Sequence, residues 1–477
     1  MGGRVRAHRY DRILEEPSGM IVMKFGGTSV ESAEAIRRVA AIVAQKAARK
    51  PLVVVSAMGK TTNRILAAAE QAASGNLADA LNAVEELKDD TRREAVQAAG
   101  ADRADAVAAI LEREFGSLES AMEAIAERGE LTPALWDEAT SHGERISSAV
   151  VALAFSGLGM KSAHLDARQV MITDSRHSQA LPLYSRTYAK FKEIAVPLLK
   201  DQVVVMGGFI GSTQDGVTTT LGRGGSDFSA AIAGAAIEAE EIQIWTDVDG
   251  MLTCDPRVAP GGKRLRSVSF AEAAEMAYFG AKVLHPATVQ PAIEKNIPVR
   301  ILNSRRPEVE GTRIVGEVVA SANPVKSIAC KRGITTVNVR SLRMLMAHGF
   351  LRRIFEVFDR YKTPVDMVAT SEVSVSLTID QTNFLDEIRA ELSKIAEITV
   401  ETDRAIVCLV GEAIRETPGV ASRVFAALAG AGVNVRMISQ GASLLNISLV
   451  VDDGQVVAAV KALHDELFAE TDPLVFA

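Results

Sequence analysis

A lysine next to two glycines is the first chemistry the chain offers. The apolar residues Ile21, Val22 and Met23 lead into Lys24, Phe25, Gly26, Gly27, Thr28 and Ser29, and helical spacing follows at Ala33, Ile36, Val39, Ala40 and Val43. This order reads as strand, glycine turn and helix N-terminus. Glycines let backbone N–H groups approach an anion, the helix dipole favours negative charge, and the lysine adds a full positive charge. A plain glycine turn of an α/β protein is the competing reading, and the lysine favours phosphate. The spacing matches neither the P-loop, where the lysine follows the glycines, nor the dinucleotide fingerprint. A different phosphate-handling fold is implied.

A second cluster of anion-binding groups follows the apolar run Leu52, Val53, Val54 and Val55, where Ser56 and Thr62 bracket a turn ahead of a helix. They could hold a carboxylate or a phosphate, or serve only as caps. Further on, Thr218, Thr219, Thr220, Leu221, Gly222, Arg223, Gly224, Gly225, Ser226 and Asp227 run into a helix from Phe228 to Ile237. Glycines around an arginine clear space for a ligand, and a guanidinium can hold a carboxylate bidentately. Asp227 falls in the first helical turn, where a capping role is the alternative. Ser141, His142, Gly143, Glu144 and Arg145 read as the opening of another helix, with Glu144 complementing its dipole and His142 structural.

These groups need a frame, and the apolar runs supply one. Ser162 to Asp166, Val203 to Phe209, Ile242 to Thr246 and Val299 to Leu302 alternate with helical segments. Continuous apolar strands separated by helices imply a mainly parallel sheet sandwiched by helices. Ligands of such sheets sit beyond the carboxyl ends of the strands, where Thr246 and Asp247 would touch a nucleotide. Residues 76–139 carry Leu77, Leu81, Val84, Leu87, Val107, Leu111, Phe115, Leu118, Met122 and Ile125 at helical spacing. They form a helical insertion without assigned chemistry.

Composition narrows the function classes. A chain of 477 residues predicts two or three domains, and 48% hydrophobic with 24% charged residues is globular. A net charge of −7 argues against a nucleic-acid binder. Cys254, Cys330 and Cys408 are widely spaced and odd in number, which fits reduced thiols in a cytoplasmic protein. The longest uncharged apolar stretch, near Ala149 to Met160, is shorter than the ~20 residues of a membrane span. Residues 1–19 are polar, of mixed charge, and are expected to be a disordered leader.

The last third repeats. Gly349 and Gly419 stand 70 positions apart, and the same offset pairs Phe355 with Phe425, Val365 with Val435, Met367 with Met437, Val368 with Ile438 and Leu377 with Ile447. Each copy reads strand, helix, strand, strand, helix, strand, so two small α+β modules are expected. Neither has a phosphate loop or a carboxylate cluster, which suits ligand sensing or assembly.

Five motifs in order carry a family resemblance: Lys24-Phe25-Gly26-Gly27-Thr28-Ser29, Gly222-Arg223-Gly224-Gly225-Ser226-Asp227, Trp245-Thr246-Asp247, Asp255-Pro256-Arg257 and Gly280-Ala281-Lys282-Val283-Leu284-His285-Pro286. Together they closely resemble aspartate kinase, over nearly everything from Met20 onward. The resemblance implies an amino-acid-kinase fold at 20–310, then a first ACT domain at 332–403 and a second at 320–331 plus 404–477. It implies transfer of the γ-phosphoryl of ATP, with Mg²⁺, to the β-carboxylate of L-aspartate, giving 4-phospho-L-aspartate at the head of lysine, threonine and methionine biosynthesis.

Residue roles follow from the same resemblance. Lys24, with Gly26 and Gly27, would neutralise the transferring phosphoryl. Ser56, Thr62, Glu144, Phe209, Arg223, Ser226 and Asp227 fall where the family holds aspartate, Arg223 on its α-carboxylate and Glu144 on its ammonium. Lys24, Asp227 and Arg223 are the catalytic set. Thr246, Asp247, Leu252, Arg257 and Lys282 fall on the nucleotide side, Leu252 standing where many relatives carry tyrosine. Direct metal ligands stay unassigned.

In the first repeat, Met344, Gly349, Phe350, Leu351, Val365, Asp366, Thr370, Ser371 and Glu372 resemble the effector site of lysine-sensitive members, with Asp366 receiving a lysine ammonium. A homodimer or larger assembly through the ACT domains is expected. Another amino-acid kinase and a catalytically silent amino-acid sensor are the alternatives. A fusion to homoserine dehydrogenase is disfavoured.

Overall fold

The computed structural model describes residues 19–280, 286–318, 321–344, 348–412, 414, 416–440 and 445–477. Two units emerge, one running to Asp249 and including Ala287–Gly316, the other formed by Gly250–Pro286 with Glu317–Ala477. The expected leader, apart from Gly19, lies outside the described residues.

In the first unit the apolar runs become strands because β-branched residues fill them and both faces are covered. In chain order come β1 (Ile21–Phe25), α1 (Ala33–Ala44), β2 (Pro51–Val55), α2 (Thr61–Ala73), α3 (Leu77–Ala99), α4 (Ala104–Arg128), α5 (Pro133–Gly157) and β3 (Ser162–Leu165). Next are α6 (Tyr184–Lys190), α7 (Val196–Leu199), β4 (Val203–Gly207), the short β5 (Ile210–Ser212) and β6 (Thr218–Thr220), α8 (Gly225–Ile237) and β7 (Glu241–Thr246). The chain passes through the second unit for β8 (Ser267–Ser269) and α9 (Phe270–Tyr278), then returns for α10 (Gln290–Glu294), β9 (Val299–Asn303) and β10 (Thr312–Val315). The strands run in the order β3-β4-β2-β1-β7-β9-β10. All these pairs are parallel except β9 with β10. Every residue of β2 and β4 is buried, as strands covered on both faces require.

The helical insertion joins the same core, since Val84, Leu87, Val107, Leu111, Phe115, Leu118, Met122 and Ile125 cluster with Ile36, Val53 and Phe155. No helix boundary falls at 139. Thr132 caps α5, its hydroxyl accepting the amide of Leu135, and Pro133 opens the helix. Glu144 therefore sits three turns inside α5 rather than at its start, and the expectation that it complements a helix dipole is corrected.

A second correction concerns α1. Gly27–Ser29 form a separate 3₁₀ turn, and α1 begins after Ser32, whose hydroxyl accepts the amide of Ala35. The free amide of Ala33 donates to Glu94 at 2.7 Å. The positive end of α1 is thus spent on a side chain from α3, and the glycine turn presents its own backbone instead.

The second unit carries β11 (Ser327–Arg340), α11 (Phe350–Arg360), β12 (Val368–Thr370), β13 (Ser374–Ile379), α12 (Leu385–Leu392), β14 (Glu397–Val410), α13 (Val420–Gly430), β15 (Met437–Ser439), β16 (Asn446–Asp452) and α14 (Val456–Leu467). One antiparallel sheet, β12-β13-β11-β14-β16-β15, serves both repeats. The two long strands span it, and register shifts at Lys331, Ile334 and Thr336 mark where one repeat hands over to the other. Gly349 and Gly419, the offset pair of the sequence, both take left-handed backbone just ahead of α11 and α13.

Residues 250–286 group with this unit, whereas the sequence reading keeps them in the kinase domain. Ile328 donates its amide to the carbonyl of Thr253, whose hydroxyl bonds Nε2 of His464 at 2.9 Å. Glu272 of α9 is fully buried, pairs with Lys326 at 2.9 Å, and accepts the amide of Glu412.

Candidate active site

The carboxyl ends of β1, β2 and β4 meet the N-termini of α2 and α8 around a cleft of about 590 Å³, lined by fourteen residues that include Lys24, Ser56, Thr62, Glu144, Phe209, Arg223, Ser226 and Asp227. All eight residues expected at the catalytic and amino-acid positions come together there. Lys24 comes from β1, Ser56 and Thr62 from the end of β2 and the start of α2, Glu144 from α5, Phe209 from the loop after β4, Arg223 from just before α8, and Ser226 and Asp227 from its first turn.

Lys24 stands in β1, one residue before the strand ends, and its ammonium lies 2.7 Å from Asp227 in the first turn of α8. Their side chains are 12% and 17% exposed, so the pair sits at the edge of water rather than sealed from it. Gly26 donates its amide to the carbonyl of Trp245, tying the glycine turn to β7. A side chain at Gly27 would come within 2.8 Å of the carbonyl of Ala57, and so only glycine lets the turn lie against the segment after β2. Phe209 takes left-handed backbone, and its amide donates to the hydroxyl of Ser229, locking the loop after β4 onto α8.

Arg223 is exposed and pairs with no side chain among the described residues. Glu144 differs in every respect. It is buried, takes one hydrogen bond from the amide of Ala57 at 3.2 Å, and leaves its other oxygen without a partner. Burial pushes its carboxyl up to about 8, against the ordinary value of 4.5, with the Ala57 amide and Lys24 pulling weakly the other way. His142 is buried beside it on α5, its ring held by the Glu138 carbonyl at 2.8 Å, and burial lowers it to about 4. It is a neutral structural histidine, as its sequence context indicates.

Three lining residues escape the sequence reading: Trp136, Ser178 and Gln179. Trp136 is one of two tryptophans in the chain and meets the Phe209 ring edge-on at 6.3 Å. Its rarity is a signal that could have found it. Ser178 and Gln179 lie in a loop without any pattern.

The nucleotide-side residues fall in both units. Thr246 ends β7 and Asp247 follows it; the Thr246 carbonyl accepts the Ser304 amide at 2.8 Å, and neither residue lines the cleft. Leu252 and Arg257 belong to the second unit. The Leu252 carbonyl accepts the Ser327 hydroxyl, and Arg257 grips Asp255 through two nitrogens. Lys282 lies outside the described residues.

At the expected effector positions, Met344, Phe350 and Val365 share one apolar cluster beneath the first repeat. Gly349 precedes α11, Leu351 is exposed, and Ser371 turns the chain between β12 and β13 by bonding the Ser374 hydroxyl at 2.7 Å, with Thr370 and exposed Glu372 beside it. Asp366 is already engaged. One oxygen accepts both the Lys331 ammonium at 2.7 Å and the Tyr278 hydroxyl at 3.0 Å, while Lys331 also reaches Asp380 at 2.7 Å.

A parallel sheet whose strand ends gather a lysine, a free arginine and two helix N-termini around an open cleft defines a kinase of small carboxylic acids. Residues 19–303 match the model of the amino acid kinase family, and residues 407–467 that of an ACT domain. Aspartokinase 2, chloroplastic, of Arabidopsis thaliana is 38% identical over 466 residues, spanning 95% of this chain and 85% of that relative. The lysine-sensitive aspartokinase 3 of Escherichia coli is 37% identical over 467 residues, spanning 94% of this chain and all of the other. The crystal structure of E. coli aspartokinase III with lysine and aspartate superposes with a TM-score of 0.81 at 36% identity, covering 94% of this chain and 99% of that one. Its complex with aspartate and ADP gives 0.77 at 36% identity, covering 94% and 100%. The chain belongs to the aspartokinase family.

Proposed function

We propose that the cleft transfers the γ-phosphoryl of ATP to the β-carboxylate of L-aspartate, yielding 4-phospho-L-aspartate and ADP and so opening the route to lysine, threonine and methionine. The convergence of Lys24, Asp227, Arg223 and Glu144 on one open cleft carries this reading. A carboxylate with a pKa of about 3.9 is already ionised at neutral pH, so no general base is needed. The barrier is repulsion between an anion and a polyanion, and it falls through positioning and charge neutralisation. Lys24 exchanges part of its contact with Asp227 for the transferring phosphoryl, Arg223 takes the α-carboxylate of aspartate, and Glu144 its ammonium. Ser56, Thr62, Phe209 and Ser226 complete the amino-acid pocket.

Thr246, Asp247, Leu252, Arg257 and Lys282 are assigned to the nucleotide. Among the described residues no three His, Cys, Asp or Glu side chains gather as a metal site. Mg²⁺ is accordingly assigned to the ATP phosphates, which are its usual ligands in such reactions.

L-Lysine is proposed as feedback effector at the first ACT module, with its ammonium on Asp366, and related aspartokinase III has been crystallised with lysine. The modules are assigned to 332–403 and to 320–331 plus 404–477, following the kinase domain at 20–310. Exposed Leu351, Phe355 and Ile438 support pairing with a second copy through these modules, which light scattering would test. No described helix is long and apolar enough to cross a membrane, and the three cysteines are unpaired, in keeping with the cytoplasm.

The deciding measurement is ADP release from Mg·ATP with L-aspartate or L-glutamate, each with and without millimolar L-lysine. Turnover with aspartate, inhibited by lysine, is expected. Binding of amino acids with no ADP release would establish a silent sensor instead.

A further inference from the structure

Asp137 has no exposed surface, makes no contact with the cleft, and yet spends its whole carboxylate on the two segments that form one cleft wall. It lies in α5 directly after Trp136. The Thr220 hydroxyl donates to its Oδ1. Nδ1 of His177 donates to Oδ2 at 2.8 Å, and the Ser178 amide bridges both oxygens at 3.0 Å.

Those donors are not interchangeable ballast. Ser178 takes left-handed backbone at φ 65°, a conformation that is strained for a non-glycine residue and persists only where surroundings enforce it. Thr220 ends β6 and is followed within three residues by Gly222 and Arg223. Gly222 is also left-handed, at φ 76°, and a Cβ there would approach the Ser178 carbonyl to 3.1 Å. One carboxylate thus holds the Ser178 turn from below and the end of β6 from the side, and the two segments touch at Gly222, the residue before the arginine.

We propose that Asp137 is a positioning residue for the amino-acid substrate, setting the place of the Arg223 guanidinium by clamping the Ser178 turn against Gly222. It rests on the assignment of Arg223 to the substrate carboxylate. Among the described residues Arg223 has no ion-pair partner, so the backbone beneath it sets where its charge stands. The clamp works through acceptors only: every group facing Asp137 is a donor, and an ionised carboxylate can satisfy them all.

Asp137→Asn in the full chain places an NH₂ against donors that need an acceptor and leaves one side of the clamp open. The expected result is a rise in KM for L-aspartate of about 10-fold or more, with KM for ATP within about twofold and most of kcat kept at saturation, as expected when substrate binding alone is lost. Thr220→Val removes one donor without disturbing the charge and should give a smaller rise, about threefold, again for the amino acid alone. Should Asp137→Asn not fold, Thr220→Val decides by itself. Unchanged KM for L-aspartate in a folded variant, or both KM values rising together, would overturn the clamp. If the wild-type protein turns over a different amino acid, the substrate reading fails while the same KM split, measured with that amino acid, still judges Asp137.

Discussion

Lys24 with Asp227 in the first unit and Lys331 with Asp366 in the second are both lysine–aspartate pairs closed at 2.7 Å, but their surroundings oppose each other. The first opens onto a cleft with room for a substrate, and water already reaches both partners. The second has its carboxylate only 3% exposed and shared with a tyrosine, while its lysine divides itself between two aspartates. Burial and the Asp366 carboxylate push the Tyr278 hydroxyl up to about 12, so it remains a donor across the working pH range. An ion pair at the rim of an open cleft exchanges partners at smaller desolvation cost than one whose carboxylate is sealed and shared, which must give up contacts that nothing replaces until the ligand is seated. Substrate is therefore expected to enter a prepared site, and effector to compete with the chain's own ammonium.

The sharpest break of this comparison is at Lys24. Lys24→Ala should keep its fold, because the side chain is at the edge of water, yet lose about 10³-fold in kcat, the scale on which single electrostatic donors act in such sites. Steady-state ADP release with thermal melting measures both, and undiminished kcat would remove the lysine from the mechanism. Next is Arg223→Lys, which keeps the charge but not the two-pronged geometry. A KM for L-aspartate raised about 10- to 100-fold, with little change in KM for ATP, is the expected outcome of a substrate titration.

Glu144 supplies a pH test of the same cleft. Burial raises its free-state carboxyl to about 8, while the substrate ammonium needs it ionised. Affinity for L-aspartate should hence rise with pH between 6.5 and about 8, by at most tenfold per unit, and calorimetry in buffers of different ionisation enthalpy should detect proton release. A raised pKa also binds the proton more tightly in the folded than in the unfolded chain. Its contribution to stability is thus complete below the ordinary glutamate range and is lost as pH climbs through about 8. Glu144→Gln should flatten both profiles.

The smallest expected effect is in the second unit. Lys331→Ala frees Asp366 of its internal cation, and half-inhibition should then need about three- to tenfold less L-lysine, read from an inhibition curve. Higher lysine demand would mean that Lys331 is part of the receptor and not its competitor.

Sequence and structure part company at identifiable places. The strands β2 and β4 are legible because a buried parallel strand is an unbroken apolar run, β1 and β7 because only one polar residue, Lys24 or Gln243, interrupts an otherwise apolar centre, and the paired glycines Gly349 and Gly419 expose the repeat. Glu144 is reached through the family resemblance, yet its polar cluster reads as the start of a helix that in fact begins three turns earlier. The capping signal lies at Thr132 and Pro133, upstream of the polar cluster from Ser141 to Arg145. Ser178 and Gln179 escape a sequence reading because nothing local distinguishes them from an ordinary loop, and Trp136 because its one signal, rarity, does not say what the ring touches.

By itself, then, the sequence determined which chemistry the chain could perform, since charge, backbone freedom and apolar period are properties of residues and their near neighbours. Only the tertiary structure decided which of those groups are free to act. Glu94 takes the amide at the start of α1, Asp137 joins His177, Ser178 and Thr220, and Lys331 occupies Asp366. Each of these pairings links positions 35 or more residues apart, and a contact at that range leaves no periodicity to read.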